Sequence, residues 1–264
     1  MIMRRRFRTE RRAGTLRSAT TDALPLMKAT TVESTSPGAV IARDQPNTKI
    51  PLWLKLAFTG FMAVLVPVYL YNYGPTNFLY FCDTALLLTL VSIWTENSLP
   101  VSMAAVGILI PQFFWCVDFF CQLLGFHLTG LTSYMFDSQR SLFLRGLSLF
   151  HGWLPFLLVY LVLRLGYDRR ALKAWTALAW LLCVIAFFFL PPAGATLADP
   201  KLPLNVNLVF GFDDAHPQKW MPQGFYVVGW MLALFILAYV PTDLMLKKML
   251  PDPGGRVRLM KPAQ

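Results

Sequence analysis

Six runs of about twenty apolar residues dominate the chain, near 52–72, 77–96, 101–124, 144–166, 171–191 and 224–244. In hydrocarbon each backbone N–H and C=O must find a partner inside the protein, so runs of this length and polarity specify membrane-spanning helices. The expected fold class is all-α, a polytopic transmembrane helix bundle of about six spans. Of the 264 residues, 56% are hydrophobic and 14% charged, too apolar a balance for a water-soluble domain. Pro67, Pro111, Pro155 and Pro241 fall inside the runs, where a membrane helix tolerates proline as a kink if neighbours re-satisfy the freed carbonyl.

The net charge of +10 does not describe a basic surface for nucleic acid, because its placement follows the spans. Ten Lys or Arg precede residue 53, and Arg164, Arg169, Arg170 and Lys173 surround the turn between spans four and five. Lys247, Lys248, Arg256, Arg258 and Lys261 close the chain, and only Arg140, Arg145, Lys201 and Lys219 fall in the other two long connections. With an even number of spans the basic-rich segments share one side. The positive-inside rule then puts both termini in the cytoplasm and the connections near 73–76, 125–143 and 192–223 outside, as expected for a multi-pass protein of the cytoplasmic (inner) membrane.

Residues 1–50 carry no apolar period and are rich in Ser, Thr, Pro and Arg. They are expected to form a disordered basic cytoplasmic tail able to lie on anionic lipid, with an organellar transit peptide as the alternative. Residues 51–246 form the spanning domain and 247–264 a short basic tail. The outer connections 125–143 and 192–223 are aromatic enough to lie at the interface or cap the outer mouth.

Three polar groups interrupt the spans. If the helices run as drawn, Asp83 and Asp118 each lie six residues below an outer end and His151 seven, on the order of 10 Å deep. Gln112, Trp115, Asp118 and Gln122 share one helical face, as do Ser141, Arg145, Ser148, His151 and Pro155, while Asn77, Tyr80 and Thr84 flank Asp83. Charge facing lipid is costly, so these faces are expected to turn toward one another.

Three functions fit such a layer. As an enzyme, His151 would be a general base oriented by Asp118 or Asp83, activating Cys82, Thr84 or water against an ester or thioester of a membrane lipid. As a small-solute or proton-coupled transporter, the same groups would bind and release a ligand or proton, although the inner halves of the spans read as almost entirely Leu, Val, Ala and Phe. As a scaffold, they would only tie helices together. No cofactor or metal site is expected: Cys82, Cys116, Cys121 and Cys183 lie in apolar segments without CxxC spacing, and Asp213, Asp214 and His216 alone are a weak cation pattern.

The segments "NFLYFCDTALLL", "SLFHGWLP" and "NVNLVFG" resemble the YwaF-like integral membrane family, whose eukaryotic branch includes a glycerophospholipid acyltransferase; the chain is also similar to multi-spanning bacterial proteins with no assigned activity. The resemblance implies a Cys–His pairing, carried here onto Cys82 and His151, and a lipid acyl group as substrate.

Cysteines introduced by Ser138→Cys and Gly254→Cys are expected to react with an impermeant maleimide from opposite sides of the membrane; labelling of both from one side contradicts the topology.

Overall fold

The computed structural model describes residues 49–199 and 202–250, and the expected tails, apart from Lys49, Ile50 and residues 247–250, lie outside them. Eight α-helices occur among the described residues: α1 Leu52–Tyr73, α2 Phe81–Thr95, α3 Ser98–Leu123, α4 Leu142–Ser148, α5 Phe150–Leu165, α6 Ala171–Phe189, α7 Gln223–Leu234 and α8 Val240–Met249. No strand is found among them. Five stretches are long and apolar enough to cross a membrane: α1, α3, α4 with α5, α6, and α7 through α8; α2 is a shorter apolar helix.

The sixth expected span departs from a simple crossing. A 3-10 turn, Pro75–Leu79, precedes α2, which has only 15 residues. At 1.5 Å per residue α2 is about 22 Å long, short of a bilayer core of about 30 Å. The fourth span starts at Leu142 and tightens at Leu149 between α4 and α5. The last runs on to Met249 through a π turn, Phe235–Tyr239, so Lys247 and Lys248 belong to a helix rather than to a tail.

α3 is the central helix. Seven of its residues within two turns, Val101, Ser102, Ala104, Ala105, Val106, Gly107 and Ile108, are buried, so it is enclosed on nearly every side by α2, α5, α6 and the last span. The small residues explain the closeness, since helices in lipid gain by packing backbones tightly rather than by expelling water. Gly107 is decisive: a Cβ there would overlap the indole of Trp175, which α6 inserts against α3. Trp175 is fully buried and meets Phe81, the first residue of α2, edge-on at 5.9 Å and Tyr239 of the π turn at 6.2 Å. α1 contributes a single stripe, Lys55, Phe58, Met62, Leu65 and Tyr69, at steps of three and four, with Leu52, Trp53, Leu56 and Tyr71 exposed on other faces as a lipid-covered surface requires.

The basic end is knit by buried ions. Glu96 ends α2 in a left-handed conformation and accepts Lys55 Nζ at 2.8 Å and the Lys49 amide at 3.0 Å. Burial works against its charge, but these donors win and hold the Glu96 carboxyl below its ordinary range. Arg170 grips Asp168 at 2.8 Å, and Asp243, 2% exposed, accepts both Tyr167 and Lys247. With Thr89, Ser92, Ser102 and Thr242 fully buried, the inner half is less purely apolar than the run of Leu, Val, Ala and Phe suggests; Thr89 and Thr242 satisfy their hydroxyls on carbonyls of their own helices.

Gly107→Ala is expected to lower stability by at least about 3 kcal/mol, because a fully buried indole has no room to retreat, with the thermal midpoint of purified protein as the readout; an unchanged midpoint contradicts the Gly107–Trp175 contact.

Candidate functional site

The shortness of α2 determines what surrounds Asp83. α2 and α3 descend and ascend from the same Glu96–Asn97 corner, tied by the Val101 amide on Ser92 Oγ at 2.9 Å. Counting from that corner, Asp83 stands about 18 Å up, Gln112 about 21 Å and Asp118 about 30 Å. Asp83 is therefore level with Gln112, and Asp118 lies roughly 10 Å further out. The expected single layer of Asp83, Asp118 and His151 separates into two levels, because α2 begins at Phe81 rather than at 77.

Asp118 is consumed by the connection that follows its own helix. It is 1% exposed and accepts four hydrogen bonds, from the amides and hydroxyls of Thr129 and Thr132, at 2.7–2.9 Å. Gly130 between them takes φ of +80°, which lets "LTGLT" curl both threonines onto one carboxylate. This knot folds the segment back over the bundle and delivers Tyr134, whose hydroxyl receives the Trp115 indole N–H at 3.3 Å. Burial pushes the Tyr134 phenol up, the Trp115 hydrogen bond draws it back, and Cys82, Ser148 and Asp83 all lie near enough to act on it. Tyr134, Trp115, Ser148, Cys82 and Asp83 thus share one polar interior, which α1 joins through Tyr69, bonded to Ser148 Oγ at 3.0 Å.

His151 sits on the wall of this interior. The Gly152 amide turns to the Leu149 carbonyl at 2.9 Å, leaving the Ser148 carbonyl for His151 Nδ1 at 2.8 Å. A carbonyl only accepts, so Nδ1 carries the hydrogen and Nε2 is the acceptor. The ring stacks between Trp115, at 4.8 Å, and Phe150, at 4.1 Å. Pro155 has no N–H to offer the His151 carbonyl, and the Cys116 thiol of α3 approaches that oxygen at 3.8 Å instead.

Cys82 and Asp83 do meet, the thiol lying 3.8 Å from Asp83 Oδ2, where Asn77 Nδ2 also donates at 3.2 Å. The other oxygen, Oδ1, is buried without a hydrogen-bond partner, as is Oε1 of Gln112; both residues are 3% exposed. Thr84 is committed to the Phe78 carbonyl at 3.1 Å. No hydrogen bond links Cys82 or Thr84 to His151 among the described residues, so the structure joins Cys82 with Asp83 and leaves His151 and Asp118 on separate partners.

The last outer connection holds α2 from above. Asn207 accepts the Phe81 amide on Oδ1 at 3.0 Å and donates Nδ2 to the Leu79 carbonyl at 2.9 Å, closing the gap between the 3-10 turn and α2. Its own carbonyl takes the Trp230 indole at 2.8 Å. Asn205, Asn207 and Leu208 have φ of 50°, 61° and 60°, left-handed values that asparagine tolerates and leucine resists. Around the rim, Arg140 lies over the rings of Tyr73 and Tyr134 at 5.9 and 5.5 Å. Burial pushes the Asp214 carboxyl up, and Arg140 is close enough to pull it partly back. The Ala215 amide and the His216 ring hold Asp213 below the usual carboxylate range. No group of three or more His, Cys, Asp or Glu among the described residues is placed to hold a metal ion.

Sequence reasoning placed Gln112, Arg145 and Ser148 on polar faces without giving them a role, and missed Tyr134, Thr129, Thr132 and Asn207. The doubled threonine about a glycine and the doubled asparagine of "NVN" were the available signals. Compared with protein-family models, curated proteins and solved structures, the chain matches none.

Asp118→Asn leaves one acceptor and a misplaced amide donor for four donors, so a loss of about 3 kcal/mol and faster proteolysis within residues 125–141 are expected; an unchanged cleavage rate contradicts the knot.

Proposed function

We propose that this multi-pass membrane protein binds a small hydrogen-bond-donating ligand within its helix bundle, as a solute-binding or transport protein does. The observation that carries this reading is the pair of buried acceptors without partners, Asp83 Oδ1 and Gln112 Oε1. A buried polar group left unpaired costs about 1–3 kcal/mol, more for a charged one, and such a cost persists where function needs the group. Two at one level, beneath Trp115 and Tyr134, favour a ligand that donates to both. The basic residues support placement in the cytoplasmic membrane with the site on the outer half.

Acyl transfer, which the YwaF-like resemblance implies, keeps one supporting observation. The Cys82 thiol lies against the Asp83 carboxylate at 3.8 Å, which makes Asp83 rather than His151 the base for that thiol.

One experiment separates the two. Mass spectrometry of small molecules released from purified protein should find a species that accompanies wild type and falls by about tenfold in Asp83→Asn. Equal recovery from both contradicts the binding reading. A thiol- or acyl-reactive lipid probe that labels wild type but not Cys82→Ala would favour acyl transfer instead.

A further inference from the structure

We propose that the ligand is a small zwitterion, with a primary ammonium held between Asp83 and Gln112 and an anionic oxygen held further out by Arg145. This rests on the reading that Asp83 and Gln112 face a ligand.

The third group without a partner supplies the new element. Arg145 Nε is buried and unpaired, while Nη1 of the same guanidinium donates to the Met135 carbonyl at 3.1 Å. That bond fixes the plane of the guanidinium next to Tyr134, the residue that closes the polar interior over Trp115. A fixed guanidinium with an N–H to spare suits a carboxylate or phosphate oxygen, which accepts from it with planar geometry.

The arrangement is polarised along the helix axes. Asp83 and Gln112 offer only acceptors at the deep level, where an ammonium, with three N–H donors, satisfies both and keeps a third for a neighbouring hydroxyl. The wall above them is aromatic, with Trp115, Tyr134 and the His151 ring together, and aromatic faces attract ammonium groups. Arg145 precedes Ser148 by three residues on α4, which raises it about 5 Å above the hydroxyl that Tyr69 shares with Ser148. Asp83 and Arg145 form no salt bridge with each other, so each retains its charge for something else: negative below, positive above. A molecule carrying an ammonium and an anion a few bonds apart neutralises both at once. A single cation or anion would leave one buried group unmatched.

Two sources offer this chemistry, the headgroup of an amine-bearing phospholipid and a free amino-acid-like or phospho-amine solute. The full chain, purified in detergent, would be unfolded thermally with phosphoethanolamine, glycine, ethylamine and methyl phosphate, and again in nanodiscs of phosphatidylethanolamine or phosphatidylcholine. At least one zwitterion is expected to raise the midpoint by about 3 °C at saturation, beyond either half-molecule. Arg145→Gln and Asp83→Asn should each remove most of that rise. A shift with soluble zwitterion identifies a free solute, and one confined to phosphatidylethanolamine identifies the lipid headgroup.

Equal shifts with ethylamine and with the zwitterions, undiminished in Arg145→Gln, overturn the zwitterion and leave an amine site at Asp83. No shift with any probe also overturns it, and a co-purifying species lost in Asp83→Asn would then leave the binding reading intact. If Asp83→Asn does not fold, Arg145→Gln, altered on a partly exposed side chain, still decides the question.

Discussion

The first amide of α2 has to be paired well inside the bundle, and much of the outer half is arranged around that need. A helix of 15 residues cannot reach both surfaces of a bilayer, so its free N-terminal donors cannot rely on bulk water. Asn207 resolves this from more than 120 residues away, accepting from Phe81 and donating to Leu79. The left-handed backbone at Asn205, Asn207 and Leu208 is the local strain that brings the amide into place. From the other side, Trp175, admitted by Gly107, fixes the ring of Phe81. Asp83 follows two residues later, aimed into the interior by contacts on both flanks of the helix start.

That placement separates two carboxylates that look equivalent in sequence. Both are buried acids near the outer end of a span, yet they do opposite things. Asp118 accepts four hydrogen bonds and serves as the anchor of a turn. Asp83 keeps one oxygen unpaired, and the turn anchored by Asp118 brings Tyr134 over it. The first is explained by structure alone, and the second retains a cost that folding does not offset. Arg145 and Gln112 show the same imbalance in the same region, which is why a ligand carrying both charges fits the set better than a purely structural role.

Helix number and the polar character of the outer half were legible because apolar run length and helical period act locally. Asn77 beside Asp83 was visible in the same way. What escaped was set by contacts distant in sequence. The truncation of α2 depends on Asn207, and a run continuous in hydropathy from 77 to 96 gives no hint that the helix starts at Phe81. The level of Asp83 shifted with that start, so Asp118 dropped out and Gln112 came in. The Cys82–His151 pairing implied by family resemblance meets a similar obstacle: Pro155 and the tightening at Leu149 turn the His151 ring toward the Ser148 carbonyl and Trp115.

The central claim is that Asp83 and Gln112 hold acceptors for a ligand at the expense of the empty fold. Its most direct test is the thermal midpoint of Gln112→Met, near-isosteric and without the amide, in protein stripped of small molecules. Removing an unpaired buried carbonyl should raise stability by about 1–2 kcal/mol, a midpoint increase of roughly 2–6 °C. A decrease of similar size would mean that the Gln112 amide supports the fold itself, and would contradict the claim.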